Sequence, residues 1–288
     1  MLDRVIEQRR RNLGNFEVGR VLPAVAQQMV GPFIFFDHLG PVDLPKGLPK
    51  SADVRPHPHI GLSTVTYLFD GEIMHRDSVG AEAAIRPGEV NWMVAGRGIT
   101  HSERFEKARH RGDHVHGIQT WIALPAADEE TQPVFMHFGR EALPTRQDDG
   151  LWLRVIAGEA FGLSSPVKTH SPLFYVQLTL NLGVRVPLPA EYSERAAYVV
   201  AGAISVSGRR YGPGQMLVFT PGSDVVLVAL TASIVMLLGG EPVGPRFIDW
   251  NFVSSSQERI AQAKADWRAG RMKLPDHDSA EFIPLPEG

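Results

Sequence analysis

Cysteine is absent from the chain. Disulfides, thiolate nucleophiles and cysteine-based zinc or iron–sulfur centres are thereby excluded, and any bound metal has to be held by histidine and carboxylate. Long apolar runs are missing too: no segment reaches the roughly 18 apolar residues that a membrane span requires. Neither sign of charge dominates. The 29 Lys and Arg against 32 Asp and Glu leave a formal net charge of −3, and no basic block stands out beyond Arg9-Arg10-Arg11. Nucleic-acid binding through phosphate neutralisation is therefore not expected. The opening Met1-Leu2-Asp3-Arg4-Val5-Ile6-Glu7 has no apolar core of a signal peptide. Asn12-Leu13-Gly14-Asn15-Phe16-Glu17 follows the arginine triplet where a twin-arginine signal would carry an apolar stretch, so a cytoplasmic location is expected.

What the chain does have is hydrophobic material, 43% of its 288 residues, enough for packed cores and for two domains of ordinary size. Its 28 glycines and 22 prolines recur between β-rich runs and favour many strands and turns over long helices. Ser63-Thr64-Val65-Thr66-Tyr67-Leu68-Phe69 stops at Asp70-Gly71, Val90-Asn91-Trp92-Met93-Val94 follows Pro87-Gly88, and Gly117 to Leu124 ends at Pro125, each the pattern of a strand between turns. Residues 125–150 read as an inter-domain connection, and a second β-rich block runs over residues 151–240. The fold class expected is all-β, with domains at 1–138 and 139–288. One short C-terminal helix is expected: Ser255 and Glu258 have capping-box spacing, Ile260, Ala263 and Trp267 follow at helical spacing, and Gly270 marks the stop. The tail from Lys273 onward, with three prolines, is expected along the surface.

The two β blocks resemble each other. Tyr67-Leu68-Phe69-Asp70-Gly71 matches Tyr198-Val199-Val200-Ala201-Gly202 at an offset of 131 residues, and Pro87-Gly88 with Gly96 matches Pro213-Gly214 with Gly222. Equal spacing of two turns points to internal duplication and to two similar barrels or sandwiches.

His57-Pro58-His59 and His101-Ser102-Glu103 carry the chemistry. On a strand, residues i and i+2 project from one face, so two such pairs on neighbouring strands bring three imidazoles and one carboxylate to a point. The Ala95-Gly96-Arg97-Gly98 turn lets the chain bring the second pair back. Three nitrogens and one oxygen with open positions suit a non-haem iron, manganese, nickel or copper centre. The second block supplies a control: an offset of 131 carries His57 and His59 onto Leu188 and Ala190, and an offset of 126 carries His101 and Glu103 onto Leu227 and Ala229. All four are apolar, so one metal per chain is expected. Of the other histidines, His114 reads as solvated, His116 as structural, and His75 and His110 as surface residues. Asp37 and His38 are either partners of the metal ligands or turn formers. Trp92 and Met93 read as packing residues on opposite faces of a strand, and Arg97 as a turn-fixing side chain.

Gly31-Pro32-Phe33 through Asp37-His38, His57-Pro58-His59, Tyr67 to Gly71, Pro87-Gly88-Glu89, Trp92-Met93-Val94-Ala95-Gly96-Arg97-Gly98-Ile99-Thr100-His101-Ser102-Glu103 and His116-Gly117-Ile118-Gln119-Thr120-Trp121 together resemble the pirin family. The likeness is dense over residues 29–125 and looser through to Asn251-Phe252-Val253. It implies two cupin β-barrel or sandwich domains (a bicupin), with a metal only in the first, held at His57, His59, His101 and Glu103. Iron is the metal the family implies, with nickel, copper, manganese, cobalt or zinc as alternatives. Ser63 stands where wider cupins often carry a ligand glutamate, and Ile60 and Ser63 replace basic and acidic residues of some pirins. The activity implied is a quercetin 2,3-dioxygenase-type oxidoreductase: a flavonol such as quercetin is opened with O2 and CO is released. Glu103 would then be the general base that takes the flavonol proton, as well as a ligand. Mammalian members are nuclear, iron-dependent transcriptional coregulators, so the alternative is a non-enzymatic iron-binding, redox-sensing protein acting through a protein partner.

Overall fold

A computed structural model describes residues 1–12 and 17–287; Leu13 to Phe16, part of the segment read as lacking a signal-peptide core, lie outside the described residues. The chain is mostly β and divides into two compact units. One, here the apolar unit, comprises Met1–Arg11, Gly19–His38 and Gly139–Pro242. The other, the histidine unit, comprises Asn12–Val18, Leu39–Phe138 and Val243–Gly288.

Each unit holds a four-stranded sheet of the same connectivity. In the histidine unit the strand order is Val54–His59, Ile99–Arg104, Ile73–Asp77, Glu82–Ile85. In the apolar unit it is Arg185–Pro187, Val226–Ala229, Ile204–Val206, Arg209–Tyr211. The longer sheets agree as well: Val90–Val94, Leu62–Asp70 and Asp113–Ala123 are neighbours in that order, as are Gln215–Phe219, Glu194–Ala201 and Ser233–Gly240. The duplication read from two turns thus extends to the strand order.

Register corrects the alignment of the copies by two residues. His101 pairs with His57 as Leu227 pairs with Val186, so His57 and His59 correspond to Val186 and Leu188, not to Leu188 and Ala190. The two extra residues lie before the first matched turn, in the connection between Arg185–Pro187 and Glu194–Ala201, where loop length is cheap to vary. A slip of two keeps every side chain on its face, and the replacements remain apolar: Val186, Leu188, Leu227 and Ala229 are all buried in one hydrophobic cluster.

The units depart from a split at residue 138. The strand Leu2–Glu7 pairs with Gln215–Phe219, and residues 243–288 belong to the histidine unit. Apolar packing explains the second placement. Ile260, Ala263 and Trp267, one stripe of the helix Gln257–Arg268, cluster with Ile60 and Phe252. Ser256, rather than Ser255, caps this helix, its Oγ accepting from Arg259 N at 3.3 Å; the Ser255 N–H and hydroxyl go to Glu129. Residues 125–150 also carry more structure than expected: Val134–Phe138 joins the Val90–Val94 strand and Thr145–Asp148 joins Leu151–Ala160. A six-residue helix, Glu106–Arg111, has no periodic signature long enough to announce it.

Candidate metal centre

The strand Ile99–Arg104 is buried along both faces. His101 and Glu103 point to one side. Thr100, Ser102 and Arg104 point to the other, where the tail covers them: the Thr100 hydroxyl donates to Lys273 O at 2.5 Å, Ser102 Oγ to Asp278 at 2.6 Å, and Arg104 grips the Asp278 carboxylate through Nε at 2.7 Å and Nη2 at 2.6 Å. The neighbouring strand Val54–His59 lies at the sheet edge, where Pro56 and Pro58 leave no ladder bond unmade. A glycine turn leads from the strand Val90–Val94 into the His101 strand. Gly96 adopts a φ of +50°, and a Cβ there would sit 2.1 Å from Thr131 O. Arg97 N donates to the same carbonyl and its guanidinium to Gln132, the turn-fixing role expected.

His57, His59 and His101 come together. Their ring centroids are 4.4–5.1 Å apart, and one nitrogen from each lies within 4.8 Å of the others. All three are nearly inaccessible, His59 and His101 at 1% and His57 at 6% exposure. Backbone carbonyls, which can only accept, define two of the rings: His57 Nδ1 donates to Arg55 O at 2.9 Å and His59 Nδ1 to Asn251 O at 3.0 Å. Their Nε2 atoms are therefore left with lone pairs. His101 Nε2 is buried and has no hydrogen-bond partner, a costly condition for a polar atom unless a metal takes its lone pair. Burial pushes His57 down to about 4 and holds His59 and His101 well below the ordinary imidazole value, neighbouring imidazoles adding to the effect. Neutral imidazoles are what a divalent cation needs as ligands. The donor set fits a metal.

Glu103 is not part of the three-nitrogen group. Its carboxylate accepts from Gln119 Nε2 at 2.6 Å and from the Thr66 hydroxyl, two residues directly opposite each other on paired strands. Burial raises its pKa, and the hydrogen bonds from Gln119 and Thr66 pull it back.

Several residues around the site escape a reading from motifs alone. His75, expected at the surface, is buried and bonds to Asp77. Trp121 meets His59 edge to face at 5.1 Å. Gln119 and Trp121 share an inward face at i and i+2, as do His75 and Asp77, so strand alternation is the signal that could have found them. Trp92 and Met93 are both buried. His114 is exposed and pairs with Asp43, and His116 packs on Phe69, as expected. Asp37 and His38 are neither partners of the ligands nor mere turn formers: both belong to the apolar unit, Asp37 bound twice by Arg20 and His38 Nδ1 2.8 Å from the Tyr198 hydroxyl. Among the described residues, no helix is long and apolar enough to cross a membrane.

Comparison with known proteins agrees with this architecture. The family model for pirin matches residues 15–122, and that for the pirin C-terminal cupin domain matches residues 175–273. A pirin-like protein of Caulobacter vibrioides is 64% identical over 288 residues, the full length of both chains. Pirin-1 of Arabidopsis thaliana is 32% identical over 85% of this chain and 84% of its own. The crystal structure of a quercetin 2,3-dioxygenase from Acinetobacter baumannii superposes with a TM-score of 0.90 at 32% identity, covering 99% of this chain and 95% of that one. With two cupin domains matched in order and a relative alike from end to end, the chain belongs to the pirin family.

Proposed function

We propose that the histidine unit is the catalytic half of a metal-dependent dioxygenase, in which iron held by His57, His59 and His101 serves the opening of a flavonol such as quercetin by O2 with release of CO. The observation that carries this reading is the convergence of three neutral imidazoles with their Nδ1 atoms engaged and the buried His101 Nε2 unpartnered. Likeness to the Acinetobacter quercetin 2,3-dioxygenase supports the substrate class. A divalent metal bound there would supply the positive charge that favours the deprotonated form of an enol hydroxyl.

The chain's own residues do the rest. Glu103, raised by burial, accepts the flavonol proton at a carboxylate oxygen while Gln119 and Thr66 keep it oriented. Gln119 holds Oε1, and coordination as a fourth ligand and acceptance of the proton are alternative uses of this one carboxylate. Trp121 against His59 and Phe135 against His75 fill the surroundings with apolar surface and exclude water, which strengthens the electrostatics of the site.

The experiment is anaerobic reconstitution with iron, then with nickel, copper, manganese, cobalt and zinc, followed by oxygen uptake and CO release on adding quercetin. Turnover with at least one metal, matched mole for mole by CO, is the expected result. The near-complete enclosure of the three imidazoles favours a second reading, an iron-binding regulatory protein acting through a protein partner. Tight iron binding without oxygen uptake on any flavonol would support that reading and end the first.

A further inference from the structure

His101 differs from the other two imidazoles of the cluster in what fixes its protons. His57 and His59 each donate Nδ1–H to a backbone carbonyl. His101 Nδ1 instead faces another imidazole nitrogen, His75 Nδ1, at 3.4 Å. Two ring nitrogens can share only one hydrogen, so His75 decides which tautomer His101 adopts.

What decides His75 is Asp77. Asp77 Oδ1 accepts the backbone N–H groups of Val79 and Ala81, both at 3.0 Å, and Oδ2 lies 2.9 Å from His75 Nε2. A carboxylate can only accept, so the hydrogen in that contact sits on His75 Nε2. The ring plane is fixed separately, by stacking on Phe135 at 4.4 Å and 15°. His75 Nδ1 is then left as an acceptor, His101 Nδ1–H is the donor that meets it, and His101 Nε2 is bare.

We propose that His75 and Asp77 are positioning residues, which hold His101 in the tautomer that presents Nε2 to a metal. The inference rests on the reading of His101 as a ligand. The apolar unit gives an internal control. Register places Ile204 opposite Ala229 as His75 lies opposite Glu103, so His75 and Asp77 correspond to Ile204 and Val206, both buried in the hydrophobic cluster. The sheet itself does not require a polar pair at these positions. The pair accompanies the histidine cluster and is missing where the cluster is missing.

Asp77→Asn tests the chain of donors with almost no change of shape. The N–H groups of Val79 and Ala81 hold the amide oxygen toward themselves, which turns the NH2 onto His75 Nε2. His75 must then carry its hydrogen on Nδ1, and His101 is driven to the Nε2–H tautomer, which cannot bind metal. Zinc affinity of the full-length protein, measured by competition with a chromophoric chelator, should fall 10- to 100-fold, roughly the range for lost partners of metal-bound histidine. His75→Phe, which retains a ring to stack on Phe135, should fall by a similar factor. The 15N spectrum of the zinc-loaded wild type should show the His75 hydrogen on Nε2. A His75 hydrogen on Nδ1, or zinc affinity in Asp77→Asn within about twofold of wild type, would overturn the inference, because a merely structural pair shifts stability without shifting affinity. His101→Ala separates the two readings: unchanged zinc affinity there removes His101 as a ligand, whereas lost affinity there with full affinity in Asp77→Asn removes only the positioning role.

Discussion

Every imidazole of the cluster reaches its working state through what it touches on the far side of the ring. Arg55 O, Asn251 O and His75 take the three Nδ1 positions, which leaves the Nε2 atoms for a cation. Replacing His57, His59 or His101 with Ala should each reduce metal content, by elemental analysis, to a small fraction of one ion per chain. His114→Ala, exposed and paired with Asp43, is the control and should leave metal content unchanged. Full metal content in all three cluster variants would refute the assignment. Glu103 calls for a different measurement, because its carboxylate is tied to Gln119 and Thr66 and lies outside the nitrogen group. Glu103→Gln should keep most of the metal and lose quercetin turnover per bound metal by about 10²–10⁴-fold, the range for general acid–base groups. Undiminished turnover per metal would end the role of Glu103 as base. The three histidines were legible from two pairs at i, i+2 spacing with a glycine-rich turn before the second. Alternation could have put Gln119 on the inward face, but not its pairing with Thr66 across Glu103, because those two meet only through cross-strand register, a property of pairing that no single run of residues displays.

The C-terminal tail acts on the elements that carry the ligands. Residues 273–283 lie against the outer face of the His101 strand and the edge of the His57 strand, with Asp278 on Ser102 and Arg104 and the Ile283 N–H on Pro56 O at 2.8 Å. The Arg104 side chain is 7% exposed and that of Asp278 14%, so this ion pair is far less screened than a surface pair. Asp278→Ala should therefore cost about 2 kcal/mol in urea unfolding, with Arg104 retaining Glu281 and Asp53 as weaker partners. A loss below about 0.5 kcal/mol would show the strap to be a surface contact only. Sequence patterning gave the expected strands, the apolar stripe of the last helix and a tail on the surface, because these follow from local periodicity. Which unit the helix and tail would join was not legible, since it depends on Ile260 and Trp267 finding Ile60, 200 residues before Ile260 in the chain. His75 misled for a related reason: charged neighbours in sequence suggested exposure, yet Arg76 is on the opposite face of the strand, paired with Glu82 and Glu106.

At the scale of the whole chain, one fold has been used twice and polarised once. Val186, Leu188, Leu227 and Ala229 fill with hydrocarbon the positions that hold His57, His59, His101 and Glu103 in the other unit. Burying three imidazoles instead has a pH cost in the metal-free protein. His57 is lowered from 6.5 to about 4, so between these values the unfolded chain binds the extra proton. Stability is then complete above about pH 6.5 and is lost as pH falls toward 4. His57 alone accounts for roughly 3 kcal/mol over that window. Melting temperatures of metal-free protein across it should fall steeply, and less steeply in His57→Leu; a flat wild-type profile would contradict burial of a neutral His57. The most direct test of the central claim is an anomalous difference map from crystals grown with zinc, recorded at the zinc edge. One strong peak per chain, bonded to Nε2 of His57, His59 and His101 at about 2.0–2.1 Å, is the expected result. A peak in the apolar unit, bonds through Nδ1, or no peak at these three histidines would contradict it.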